Sequence, residues 1–193
     1  MLTLAALLAL SLSAGSTQMI ESWRVEVEPA MHRDSTAVSN LLELYSHDLS
    51  AVFSLELGAD GRFGYERLPL YWSEPDSRFP FLVRCDQLLA GFAFVTRGSP
   101  LSDDPNVFDV AEFFVVRRYR RCGVGRRAAV LLWNRFAARW IIRVLEENRQ
   151  GCQFWASVVT EYTNGAFLET RRSEGQRLWR VFEFASPSKE KGA

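Results

Sequence analysis

Apolar positions recur along this chain with two periods, and each stretch of pattern predicts an element. Residues 23–28 run Trp-Arg-Val-Glu-Val-Glu, a period of two that predicts a half-buried first strand. Asp34-Ser35 is an N-cap signal, and Val38, Leu41, Leu42 and Tyr45 follow at helical spacing, so a helix is expected there. Residues 50–80 keep no period. Their glycines and their aromatics Phe63, Tyr65, Tyr71 and Trp72 predict a short helix with loops packed on the core, or else the wall of a binding site. Residues 79–85 and 88–96 read as strands around the turn Asp86-Gln87, and 97–105 as a polar loop. Residues 110–116 are apolar and aromatic apart from Glu112, as a buried central strand should be. A helix ending near residues 136–139 follows, with Val124, Ala128, Leu131, Leu132 and Phe136 on one stripe. Residues 140–145 read as a mostly buried strand. Residues 148–160 read as a second helix with Cys152, Trp155 and Val159 on one face. Residues 166–170 and 178–184 close the chain as two strands.

Helices interleaved among six or seven strands predict an α/β class with a mixed sheet and helices on both faces. No internal repeat or boundary divides it, so a single domain is expected over 19–185, and 193 residues suffice for one core. The 23 basic and 23 acidic side chains cancel, which removes any global field toward nucleic acid or membrane. Neither is therefore expected as a partner. Cys85, Cys122 and Cys152 are odd in number and widely spaced, which favours a reducing compartment, the cytoplasm. With only His32 and His47 and no clustered Cys or His, no metal is expected. Residues 1–18 carry no charged side chain; they are short for a membrane span and lack the basic start of a signal peptide. They read as a leader or mis-assigned start outside the core, with Met19 as the alternative start. Residues 186–193 read as a disordered charged tail.

Six arginines crowd residues 117–127 around Gly123 and Gly125, between the central strand and its helix. A helix N-terminus presents unpaired N–H groups with partial positive charge, glycines let a bulky anion approach them, and guanidinium groups add forked donors. A phosphorylated ligand, above all a pyrophosphate, is expected at this turn. Gly123-Val-Gly125-Arg-Arg-Ala128 also fits the dinucleotide fingerprint, with Glu146 and Glu147 near the required offset. Against that, residues 117–122 separate the strand from the first glycine, and too little chain follows for more strand–helix units. No Gly-Lys-Ser/Thr phosphate loop occurs. A nucleic-acid footprint or a solvated basic turn are the remaining readings.

Arg120-Arg121-Cys122-Gly123-Val124-Gly125 resembles the Arg/Gln-x-x-Gly-x-Gly/Ala element of the GNAT N-acetyltransferases. The preceding Phe-Phe-Val-Val and the downstream Asn148 and Phe154-Trp155 fit that family's order, over roughly residues 24–185. The resemblance is nearest to bacterial members of unassigned substrate. It implies the acyl-CoA N-acyltransferase fold and transfer of an acetyl group from acetyl-CoA to a primary amine of a small molecule or protein. It implies that the backbone of Phe114, Val115 and Val116 holds the pantetheine arm, with Arg120, Arg121, Cys122, Gly123, Val124, Gly125 and Arg126 around the pyrophosphate. Asn148 would bond the pantetheine or simply cap its helix. Trp155 stands where the family commonly has a tyrosine acid, and an indole cannot serve as that acid. A dinucleotide-dependent oxidoreductase and a non-catalytic CoA-binding module are the alternatives, and a homodimer is left open.

For chemistry the chain offers Glu112 and Asp109 on the central strand as candidate bases for the amine. A spacing of three puts them on opposite faces of a regular strand, so at most one should face the acceptor unless a bulge intervenes. Ala111 and Phe113 should desolvate Glu112 and raise its pKa; the bland alternative is a carboxylate paired with an arginine. Tyr162 is the candidate general acid, though it equally suits core or surface. Cys122 has no evident His partner and is set aside as a nucleophile.

Overall fold

The two-residue turn at Asp86 and Gln87, both at positive φ (48° and 66°), fixes the first antiparallel pair and the register of the whole half-sheet. Strands β2 (Arg78–Cys85) and β3 (Leu88–Arg97) close around it, and β1 (Val25–Pro29) pairs with β2 on the outside. The computed structural model describes residues 23–186. The expected leader at 1–18 and the tail beyond 186 lie outside the described residues. β4 (Phe108–Val115) pairs antiparallel with β3, and β5 (Arg139–Leu145) pairs parallel with β4. β6 (Leu168–Glu174) and β7 (Arg177–Ala185) form the last hairpin, giving a seven-stranded mixed sheet in the order β1-β2-β3-β4-β5-β7-β6.

Helices cover both faces, as the pattern predicts. α3 (Val124–Arg135) and α4 (Arg149–Thr163) bury Leu132, Trp133, Cys152, Trp155 and Val159 against Val95, Val110, Trp140, Ile142 and Phe182. On the opposite face α1 (Ser35–Leu49) and the single turn α2 (Leu70–Ser73) bury Val38, Leu41, Leu42 and Tyr71 against Leu82, Phe92, Phe94 and Phe114. Among the described residues no helix is long and apolar enough to cross a membrane.

Local expectations fail in three places, each through competition from tertiary contacts. Asp34 does not cap α1 with its side chain; its carboxylate accepts the Met31 N–H at 2.8 Å and closes the preceding 3-10 turn. Leu131 is 41% exposed, because the buried stripe of α3 is Val124, Ala128, Ala129, Leu132 and Trp133. Phe136 lies past the helix in extended backbone and packs its ring against Phe79, Phe81, Phe108 and Trp140.

Candidate active site

The site begins with an irregularity in β4. Consecutive β3 residues Phe94 and Val95 pair with Glu112 and Val110, so Ala111 is an inserted residue. Phe108, Val110, Phe113 and Val115 pack on the α3/α4 side of the sheet. Asp109, paired with Thr96, and Glu112, paired with Phe94, lie on the α1/α2 side with Ala111 and Phe114. The expectation of opposite faces is thus overturned, because the extra residue shifts the alternation by one. Both carboxylates face the same way.

Glu112 is held by two phenols. Tyr45 of α1 donates to Oε2 at 2.5 Å, and Tyr65 of the loop before α2 donates to Oε1 at 2.9 Å. Burial pushes its pKa up, while the two tyrosine bonds and the nearby Arg143 pull the other way without reversing it. Burial, then the neighbouring Glu112, raise Tyr45 and Tyr65 so far that both remain donors at any working pH. The arginine-paired carboxylate is Asp109 instead. It is fully buried, receives Ser99 Oγ at 2.5 Å, and receives Arg143 Nε and Nη2 at 2.9 and 3.4 Å. Burial raises its pKa as well, against the pull of Arg143 and Ser99. With every polar contact satisfied internally, Asp109 braces Arg143 and leaves Glu112 as the carboxylate that meets open space.

That space is a cavity of about 260 Å³, lined by Tyr65, Tyr71, Thr96, Ala111, Glu112 and Arg143, among others. A second cavity of about 380 Å³, lined by Phe108 and Arg139, lies at the opposite ends of β4 and β5 and touches neither Glu112 nor the glycine turn.

The β4–β5 ladder ends at Val110–Ile142, next to the inserted Ala111. Beyond it β4 stays with β3 and β5 with β7, so the edge of β4 from Ala111 to Val115 that faces β5 has no strand partner. The carboxyl ends of the two parallel strands lead into the N-termini of α3 and α4, the place where open sheets of this kind take ligands. At α3, Gly123 is the N-cap with φ 86°, its side is open, and no side chain caps the N–H groups of Val124, Gly125 and Arg126. Arg121 (φ 60°) sets the reversal before it, and the buried Tyr119 pins the turn against Trp23.

Other predicted site residues have definite places. Arg120 donates from Nε to Val115 O at 2.6 Å and pairs with Asp48 of α1, which also takes Arg117 at 2.6 Å; these arginines hold Asp48 below its usual pKa despite its partial burial. Arg126 pairs with Glu161, while Arg121 makes no ion pair among the described residues. Gly125 is needed for helix packing, since a Cβ there would stand 3.2 Å from Phe154 and 3.6 Å from Val115. Cys122 is exposed and its thiol donates to Tyr119 O. Asn148 caps α4, accepting the Gly151 N–H at 2.9 Å. Trp155 is 7% exposed and packs on Phe113, Trp133 and Phe154. Tyr162 lies with Trp133 and Phe184 on the α3/α4 side and donates to Asn134 at 2.9 Å. The sheet separates it from Glu112.

Sequence reasoning missed Tyr45, counted only as part of a helical stripe, and Ser99. Arg143 carried a legible signal, a lone charge inside an apolar strand, which demands a buried partner.

No protein-family model matches the chain, and no curated protein matches its sequence. Solved structures do match its fold. An acetyltransferase from Thermus thermophilus is 17% identical with TM-score 0.57, over 83% of this chain and 97% of that one. An acetyltransferase of the GNAT family from Streptococcus pneumoniae is 13% identical with TM-score 0.52, over 84% and 99%. The PaiA N-acetyltransferase from Thermoplasma acidophilum, in complex with coenzyme A, is 11% identical with TM-score 0.56, over 83% and 99%. The chain has the GNAT acyl-CoA N-acyltransferase fold.

Proposed function

We propose that this chain is a GNAT-family N-acetyltransferase, moving an acetyl group from acetyl-CoA to a primary amine. The observation that carries the reading is the opening between β4 and β5. It leaves an unpaired strand edge beside an uncapped helix N-terminus that Gly123 keeps open, with Glu112 on one face of the same strand. Those features fit an extended amide-bearing arm that ends in a pyrophosphate. The backbone of Phe114, Val115 and Val116 would hold the arm, and the N–H groups of Val124, Gly125 and Arg126 with Arg121 and Cys122 would hold the pyrophosphate. Arg120 braces the end of β4, and Asn148 and Trp155 shape the α4 wall of the opening. The dinucleotide reading loses its support, since β4–α3–β5 is the sole parallel unit among the described strands.

Acetyl-CoA supplies an activated thioester carbonyl. The chain has to bring a neutral amine to it, and in this reading Glu112 takes the proton, directly or through a water. Tyr45 and Tyr65 orient the carboxylate, and its raised pKa brings it nearer to that of an amine. Asp109 supports the site through Arg143 rather than by proton transfer. The free thiols Cys85, Cys122 and Cys152 accord with a cytoplasmic enzyme.

Calorimetry should show binding of acetyl-CoA and none of NAD; NAD binding without acetyl-CoA binding would sink the proposal. Binding without thiol release across a broad amine panel would identify a CoA-binding module instead. Arg121→Ala should raise the Kd for acetyl-CoA about three- to tenfold, the loss of one charge-assisted contact, with Tm unchanged. An unaltered Kd would remove Arg121 from the phosphate site.

A further inference from the structure

We infer that the cavity over Glu112 selects a small amine that carries its own anionic group, a carboxylate or a phosphate. This rests on the acetyltransferase reading and specifies its acceptor. Three arginines, Arg67, Arg78 and Arg143, share the cavity with the single carboxylate of Glu112. Two of them are already matched from outside. Arg143 is bound to Asp109 at 2.9 Å, and Arg78 to Glu74 at 2.7 Å while lying over the Tyr71 ring. Arg67 makes no ion pair among the described residues, and its charge reaches Tyr65, the phenol bound to Glu112. Arg97 also borders the cavity, but its guanidinium stands 5.7 Å from the centre of the Phe108 ring, on the α3/α4 side and away from Glu112.

The remaining lining offers no compensating anion. Tyr65 and Tyr71 are held protonated by burial and by Glu112. Ser77, Thr96 and Ser99 contribute neutral groups only. A polyamine or a lysine-rich segment would set its additional positive charge against the unpaired Arg67. A zwitterionic acceptor resolves both ends: its amine meets Glu112, and its anion meets Arg67, which is free to form forked bonds. The volume, about 260 Å³, suits a molecule of a few heavy atoms.

The test compares matched amines, phosphoethanolamine with ethanolamine and β-alanine with β-alaninamide, by thiol release from acetyl-CoA and by calorimetry of each amine alone. In at least one pair the anionic member should be favoured about tenfold or more in kcat/KM, and the pair that responds identifies phosphate or carboxylate. Arg67→Met, at an exposed residue and so compatible with folding, should bring that ratio toward one, chiefly through KM. A ratio of one or less in both pairs overturns the inference while leaving acetyl transfer intact. If no amine releases thiol, the acetyltransferase reading is what fails. Calorimetry then decides the cavity: tighter binding of the anionic members that Arg67→Met abolishes upholds it, and equal binding overturns it.

Discussion

Glu112→Gln is expected to lower kcat by about 100- to 1000-fold, the range for removing a positioned general base, with acetyl-CoA affinity kept within about twofold. Glutamine preserves the size of the side chain between Tyr45 and Tyr65 and cannot take a proton. The same group should govern the acid limb of the pH profile. A base works only when ionised, so turnover falls as the pH drops through the pKa of Glu112. Because burial raises that pKa, the limb should stand above the ordinary carboxylate range. Tyr45→Phe or Tyr65→Phe removes a bond that favours the ionised form, so either should move the limb to still higher pH. Thermal stability reports the same titration without turnover. A carboxyl with a folded pKa above its unfolded value contributes stability that is complete below the unfolded pKa and is lost as pH rises through the folded pKa. Wild type should lose stability relative to Glu112→Gln across that window. Unchanged kcat in Glu112→Gln, or a limb that ignores both tyrosines, would remove Glu112 as the base.

Gly91→Ala should be the most damaging small substitution on the sheet. Gly91 of β3 lies between Val83 and Val115, and a Cβ there would sit 2.0 Å from Phe114 O and 3.1 Å from Val115 Cα. Both are backbone atoms in the middle of a sheet, so no side chain can rotate away. β3 and β4 must separate, and the adjoining bond from Val116 N to Ala90 O is strained with them. A destabilisation of about 3 kcal/mol or more is expected, near 10 °C in Tm for a chain of this size. The displaced segment is also the strand edge assigned to the pantetheine arm. Whatever variant remains folded should therefore bind acetyl-CoA at least about tenfold more weakly. A Gly91→Ala protein with wild-type Tm would show that the two strands are not in such close approach.

Several elements were legible because their signals are local. The period of two in residues 23–28, the turn at Asp86-Gln87, the apolar run of β4 and the glycines before α3 each lie within a few residues, where backbone preference and side-chain alternation act directly. The turn before α3 was legible for the same reason, since Gly123 had to supply a positive φ and an open N-terminus in one short segment. The arginines around it were legible only as charge. Their partners depend on Asp48 and Glu161, which stand dozens of residues away in sequence.

Its residues alone predicted an α/β class, raised the expectation of a phosphate at the glycine turn, and marked Glu112 as a carboxylate in an otherwise apolar strand. Which face Glu112 occupies was settled by the folded sheet. The inserted Ala111 arises from pairing between β3 and β4, and a one-residue shift carries a side chain to the other side. Its partners were settled the same way: Tyr45 lies 67 residues and Tyr65 47 residues from Glu112 in the chain, and only packing of α1 and its following loop over the sheet brings them together. Hydrophobic periodicity states which positions are buried. Which polar groups meet there is a property of long-range packing, and that packing gave the arginine to Asp109 and the tyrosines to Glu112.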